Sequence, residues 1–293
     1  MLVQHSYPIS ERNIAAIETD NRQTASCSVI FLHGWLDNAA SFQSVLHVIT
    51  SQLPSHIHLC AIDLPGHGLS GHKSADNFYA FHDYIDDIHQ FLVTLPTKKK
   101  ILVGHSLGGL IASCYSAAFP EYVDGLFLIE SLGPLSEPAA NSVQRLRDGV
   151  NSRSRIRRKS RRKGYDDYAA ALQVRAAHSA LPEALIEPIV ARGIELRDGQ
   201  WLWRADPKLS AQSLYRISDA HAEAVLAAIQ SPFFVVLGDQ GYPSLKSYSR
   251  ALRPEQVEIE HVQGGHHCHL EHPERVGQLI LQFIKKIDEA PCS

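Results

Sequence analysis

Long unbroken apolar runs, paired cysteines and a basic–apolar leader are all missing from this chain, and each absence removes a class of protein. The longest apolar stretch, Ile101 to Phe119, is interrupted by His105, Ser106 and three glycines, whereas a membrane-spanning helix needs about 20 consecutive apolar residues. The opening Met1-Leu2-Val3-Gln4-His5 has no basic segment followed by an apolar one, so no signal peptide is expected. Five cysteines (Cys27, Cys60, Cys114, Cys268, Cys292) are odd in number, widely spread and free of any C-x-x-C pair. That pattern argues against a disulfide framework and against a zinc knuckle, and a reducing, cytoplasmic setting is expected. Nothing in the composition fixes an oligomeric state.

Net charge is only −3, from 28 Lys and Arg against 31 Asp and Glu, but it is unevenly spread. Ten of the basic residues lie between Arg145 and Lys163, with Asp148 the single acid among them. Such a run attracts nucleic acid, anionic lipid or an anionic substrate, or it forms a solvated helix face. One short cluster in an otherwise acidic chain carries no nucleic-acid reading motif, so a nucleic-acid partner is not expected. Anionic esters or thioesters are the substrates it would favour.

With 293 residues and 44% hydrophobic content, the chain suits one domain carrying an insertion. Short β-rich apolar runs recur at Val29 to Leu32, His58 to Ile62, Ile101 to Val103, Leu126 to Ile129, Phe233 to Leu237 and Val257 to Val262. They read as buried parallel strands. Between them lie helical patterns, clearest from Phe81 to Leu95 and from Val276 to Ile287, so the core is an α/β doubly wound, mostly parallel sheet. The alternation stops between Pro134 and Gln230, where the patterns are helical and no strand is expected. Residues 1–133 and 231–293 therefore form the core, and 134–230 an inserted helical cap, or lid, whose Trp201, Trp203, Tyr165 and Tyr168 either pack within it or face the substrate.

Gly104-His105-Ser106-Leu107-Gly108 joins the strand ending at Val103 to a helical pattern. Glycines on both sides permit a turn too tight for larger side chains, and the Ser at its apex is the candidate nucleophile. A Ser hydroxyl needs a base, an orienting carboxylate and donors for the oxyanion. The base is expected late, in Gly265-His266-His267-Cys268-His269-Leu270-Glu271-His272-Pro273. His266, directly behind two glycines, is the one a loop presents to the elbow, while His269 and His272 suit packing or the surface. The metalloprotease spacing H-E-x-x-H is absent, so these histidines are not read as a metal site. The oxyanion donors are the backbone N–H of Leu107, after the nucleophile, and that of Trp35, behind an early strand.

The elbow, His33-Gly34-Trp35-Leu36-Asp37-Asn38, the stretch Asp63-Leu64-Pro65-Gly66-His67-Gly68-Leu69-Ser70 and the Gly-His-x-x-His-Leu-Glu-x-Pro ending together resemble the α/β-hydrolase superfamily. Trp201 to Pro207 and Leu237 to Tyr242 are similar to its serine hydrolase-like branch. The resemblance implies the order Ser, acid, His. Members typically carry an Asp three residues after the Gly that ends the Phe233–Leu237 strand, and that position here is Gly241. Glu130, one strand earlier, where some members place theirs and whose longer side chain spans the extra distance to His266, is the expected acid, and Asp239 is the alternative. Dehalogenase or epoxide hydrolase chemistry would need Asp at position 106. The expected activity is hydrolysis of a small-molecule carboxylic ester through an acyl-enzyme, with no metal or organic cofactor. A carbon–carbon bond hydrolase and a non-catalytic binding protein of the same fold are the alternatives.

Overall fold

The computed structural model describes residues 1–158, 164–245 and 257–290. Along them the strands are β1 (Leu2–Ile9), β2 (Arg12–Thr19), β3 (Cys27–Leu32), β4 (Ile57–Ile62), β5 (Lys99–His105), β6 (Gly125–Ile129), β7 (Ile194–Arg197), β8 (Gln200–Trp203), β9 (Phe233–Gly238) and β10 (Val257–Val262). The helices are α1 (Gln43–Thr50), α2 (Asp83–Leu92), α3 (Leu107–Ala118), α4 (Ser142–Arg158), α5 (Tyr168–Ser179), α6 (Glu183–Gly193), α7 (Asp219–Ala227), the single turn α8 (Cys268–Glu271) and α9 (Pro273–Glu289). Among the described residues no helix is long and apolar enough to cross a membrane.

Eight strands form one sheet in the order β1-β2-β4-β3-β5-β6-β9-β10. From β4 to β10 neighbouring strands are parallel; β1 and β2 add an antiparallel edge. Alternate side chains serve opposite faces, as the pleat requires. On β3, Val29 and Phe31 join α1 and α9 on one face, while Ile30 and Leu32 join α2 and α3 on the other. Both faces are covered, which is why these strands read as unbroken apolar runs. The antiparallel edge was not expected: β1 carries Pro8 and alternates polar with apolar residues, and β2 is an uneven Ala/Ile run.

The excursion from residue 134 to residue 230 leaves the sheet after β6 and returns at β9. The expectation of an insertion without strands fails here, because β7 and β8 pair as an antiparallel hairpin. Asp198 and Gly199 turn it with φ of 51° and 76°, the backbone that an Asp-Gly pair adopts in a tight hairpin. Trp201, Trp203, Tyr165 and Tyr168 pack with Ala171, Ile186, Ile189 and Val190 into a separate apolar cluster.

Buried polar links fasten this excursion to the core. Arg192 donates to Asp63 at 2.9 and 3.0 Å, Arg175 reaches Asp37 at 2.5 Å, and Asn38 donates to the Ile189 carbonyl at 2.8 Å. The Tyr79 hydroxyl donates to Asp206 at 2.8 Å, and the Trp35 indole N–H to the Leu209 carbonyl at 3.0 Å.

Candidate active site

Parallel strands present their carboxyl ends on one edge of the sheet, where loops of α/β folds carry chemistry. The register aligns Leu32 with Gly104, Gly104 with Leu128, and Ile129 with Val236. Ser106 after β5, Glu130 after β6 and His266 after β10 therefore meet at one place.

Ser106 sits at φ 48°, ψ −117°, a conformation that L residues rarely adopt and that costs on the order of 1–3 kcal/mol. Close packing around it holds this geometry. A Cβ on Gly108 would overlap the Leu32 carbonyl, and one on Gly104 would overlap Gly109 of the following helix. The Ser106 N–H donates to the Ile129 carbonyl at 3.1 Å, and the Ser131 hydroxyl donates to the Ser106 carbonyl at 2.8 Å. With its backbone fixed on both sides, Ser106 places its hydroxyl 3.0 Å from His266 Nε2.

On its other edge, His266 Nδ1 lies 3.3 Å from Glu130 Oε2. Glu130 is 2% exposed, and two backbone groups also bind its carboxylate: Gly238 N–H at 2.7 Å and Tyr242 N–H at 3.2 Å. Its own φ is 46°, so a second left-handed residue aims the acid. Asp239, the other acid raised by the sequence, has an exposed side chain, and its N–H donates to the Val262 carbonyl.

Gly241 explains the departure from the superfamily pattern. A Cβ there would overlap Oε1, Oε2 and Cδ of Glu130. The Glu130 carboxylate occupies the volume that a side chain at position 241 would need, so an acid on one strand excludes one on the other.

The neighbouring histidines are structural. His105 is fully buried and its Nε2–H donates to the His266 carbonyl at 2.9 Å. Burial pushes its pKa well below the usual imidazole value, and the surrounding histidines push the same way. A neutral imidazole thus holds the backbone of the His266 loop, a role the sequence did not disclose. His269 is fully buried against Phe42 and His105, and burial lowers its pKa to about 3. His267 Nε2 stands 3.6 Å from Asp37. Among the described residues these histidines do not converge as a ligand set.

The N–H groups of Trp35 and Leu107 donate to no acceptor among the described residues. Beside them opens a cleft of about 350 Å³ that includes Ser106 in its wall. Trp35, Leu110 and Phe81 line it from the core, and Leu135, Tyr215 and Ile217 from the excursion. The four aromatics expected as possible contacts lie elsewhere, whereas Tyr215 was not singled out. Of the basic run, Arg153 and Arg157 stack on the Phe78 ring at 4.9 and 4.8 Å, and Arg145 pairs with Glu137. Arg147, Arg155, Arg157 and Arg158 are exposed, so this part is largely a solvated helix face with a few side chains resting on protein. Residues 159–163, including Arg161 and Arg162, lie outside the described residues.

Comparison with known proteins places the fold. The sequence profile of the alpha/beta hydrolase fold matches residues 28–273. A serine hydrolase-like protein of Danio rerio is 26% identical over 270 residues, covering 88% of this chain and 81% of the relative. Serine hydrolase-like protein 2 of Homo sapiens is 26% identical over 283 residues, covering 88% and 86%. The crystal structure of a hypothetical protein from Pseudomonas aeruginosa PAO1 superposes with a TM-score of 0.84 at 28% identity, covering 99% of each chain.

Proposed function

The chain belongs to the α/β-hydrolase fold family, and from that premise we propose that it is a serine hydrolase that cleaves carboxylic esters through an acyl-enzyme. The observation that carries this reading is the line Ser106 Oγ, His266 Nε2, His266 Nδ1, Glu130 Oε2, with gaps of 3.0 and 3.3 Å. In the first step His266 takes the Ser106 proton as Oγ attacks the ester carbonyl carbon. Glu130 accepts from His266 Nδ1–H, selects that tautomer and balances the imidazolium that forms. The carbonyl π electrons move onto oxygen, and the N–H groups of Trp35 and Leu107 receive the oxyanion. Collapse expels the alcohol, which takes the proton from His266. Water then attacks the acyl-enzyme, gives its proton to His266 and releases the acid, and that proton returns to Ser106.

The mostly apolar cleft supports an acyl group or alcohol of moderate size with few polar contacts. Residues 134–230 act in this scheme as the cap, because Pro134, Leu135, Tyr215 and Ile217 form one wall of that cleft. Labelling with a fluorophosphonate, followed by p-nitrophenyl esters of increasing chain length, tests the reading. Wild type should label and turn over, and Ser106→Ala should do neither. Folded wild-type protein that fails to label at Ser106 would overturn it.

A further inference from the structure

Away from the catalytic edge, Glu18, His58 and Cys60 bring a carboxylate, an imidazole and a thiol together inside the protein. Glu18 and Cys60 are directly opposed across the β2–β4 ladder. His58 stands two residues before Cys60, so the pleat directs it to the same face. Their exposures are 4%, 0% and 0%, and their potential ligand atoms all lie within 4.8 Å of one another. From this arrangement we propose a metal-binding site for a divalent transition ion of zinc type, with Glu18 carboxylate, His58 Nε2 and Cys60 Sγ as ligands.

Three observations support it. His58 Nε2 is 3.3 Å from Glu18 Oε2, and Cys60 Sγ is 3.7 Å from the same oxygen. Tetrahedral zinc, with bonds of about 2.0 Å to O and N and about 2.3 Å to S, separates these pairs by about 3.3 and 3.5 Å. The side chains already stand near the edges of that tetrahedron. Next, His58 Nε2 is buried without an aligned hydrogen-bond partner despite its nearness to Glu18. The Cys60 thiol donates to the same Glu18 oxygen, so the carboxylate draws both neighbours to one point. Finally, supporting contacts resemble those that orient metal ligands. Ser28 Oγ lies 3.0 Å from His58 Nδ1 and receives the Thr97 hydroxyl at 2.9 Å, leaving Nε2 as the inward nitrogen. The Tyr7 hydroxyl donates to Glu18 Oε2.

Glu18 also lines a surface cleft of about 530 Å³ with His5 and Arg22, and this is the side of the cluster nearest solvent. On binding, the thiol proton passes to water, and a thiolate and a carboxylate balance the dication. The fourth position is left to water. No spacing motif marks this site, because its ligands come from two strands far apart in sequence. Its place on β2 and β4 assigns it a structural role, clamping the antiparallel edge to the parallel sheet.

The test uses the full chain after dialysis against a chelator, with cobalt(II) as the probe. One equivalent should bind and give a thiolate-to-cobalt charge-transfer absorption that zinc(II) abolishes by displacement. Cys60→Ser should lose the band, and Ser28→Ala should weaken cobalt binding by about 10- to 100-fold through the loss of an outer-shell contact. Far-ultraviolet circular dichroism and a cooperative thermal melt report the fold of each variant. If Cys60→Ser does not fold, X-ray absorption of the zinc-loaded wild type should show one sulfur at about 2.3 Å with nitrogen and oxygen neighbours. No cobalt band in folded wild type, a band retained in folded Cys60→Ser, or zinc surrounded by nitrogen and oxygen alone would each overturn the proposal.

Discussion

Moving the acid from β6 to β9 probes the catalytic arrangement most directly. Glu130→Gly removes the carboxylate facing His266 Nδ1 at a position whose φ of 46° glycine adopts freely. It leaves the Gly238 N–H without its 2.7 Å acceptor and the Tyr242 N–H without its 3.2 Å one. An unsatisfied buried donor costs about 1–3 kcal/mol, and relief of the left-handed backbone returns about 1–2 kcal/mol. With two donors orphaned the balance is a net loss of up to about 5 kcal/mol, so the thermal melt should fall, and rates are compared on protein shown to be folded. Turnover should fall about 10⁴-fold, the typical loss when a triad histidine loses its orienting carboxylate, equivalent to about 5 kcal/mol of transition-state stabilisation. Adding Gly241→Asp places a carboxylate in the vacated volume and should recover about tenfold or more of the lost kcat. Introduced into the wild type, the same Gly241→Asp collides with Glu130 and should slow the enzyme instead. Initial rates with a p-nitrophenyl ester measure all four proteins. The reasoning fails if folded Glu130→Gly keeps more than about a tenth of wild-type kcat, or if the double variant is no faster than the single.

Three other perturbations reach different parts of the molecule. Arg192→Met strips the partner from fully buried Asp63 and should cost about 3–5 kcal/mol in urea unfolding; a change below about 1 kcal/mol would refute the clamp. Burial lowers the pKa of His33 to about 4, although its contact with the Gly34 carbonyl opposes the shift. Between about pH 6.5 and 4 the unfolded chain binds a proton that the native site refuses, so stability is full above this window and falls within it. The loss from His33 is about 2 kcal/mol at pH 5, and buried His67 and His269, lowered to about 3, steepen the fall; equal unfolding free energies at pH 7.5 and pH 5 would contradict this. Leu135→Trp narrows the cleft and should reduce kcat/KM for long-chain p-nitrophenyl esters by about tenfold relative to acetate. An unchanged chain-length profile would remove Leu135 from the substrate wall.

The elbow and the parallel core were legible because each imposes residue types on a contiguous stretch. Ser106 needs glycines around it, and strands buried on both faces need unbroken apolar runs. The acid was not decidable, because the choice depends on the room left by a glycine 111 positions after Glu130, between strands that are neighbours only in the sheet. β1 escaped notice because a half-exposed strand holds mixed residues, and β2 because its buried run is short and ends in Glu18 and Thr19. The β7–β8 hairpin announced itself in Asp198-Gly199, a turn signal overridden by helical patterns on both sides. His105, next to the nucleophile, had no recognisable sequence signal, since its work is a hydrogen bond to the backbone of residue 266.

Trp35 has two attachments whose joint effect is mechanical. Its peptide N–H is one of the two donors the proposed mechanism assigns to the oxyanion, and its indole is tethered to the carbonyl of Leu209 in the excursion. Any displacement of that segment is therefore carried through a single side chain to the Trp35 backbone. In the proposed mechanism, the excursion that walls the cleft and one oxyanion donor are thus fastened to each other through one indole.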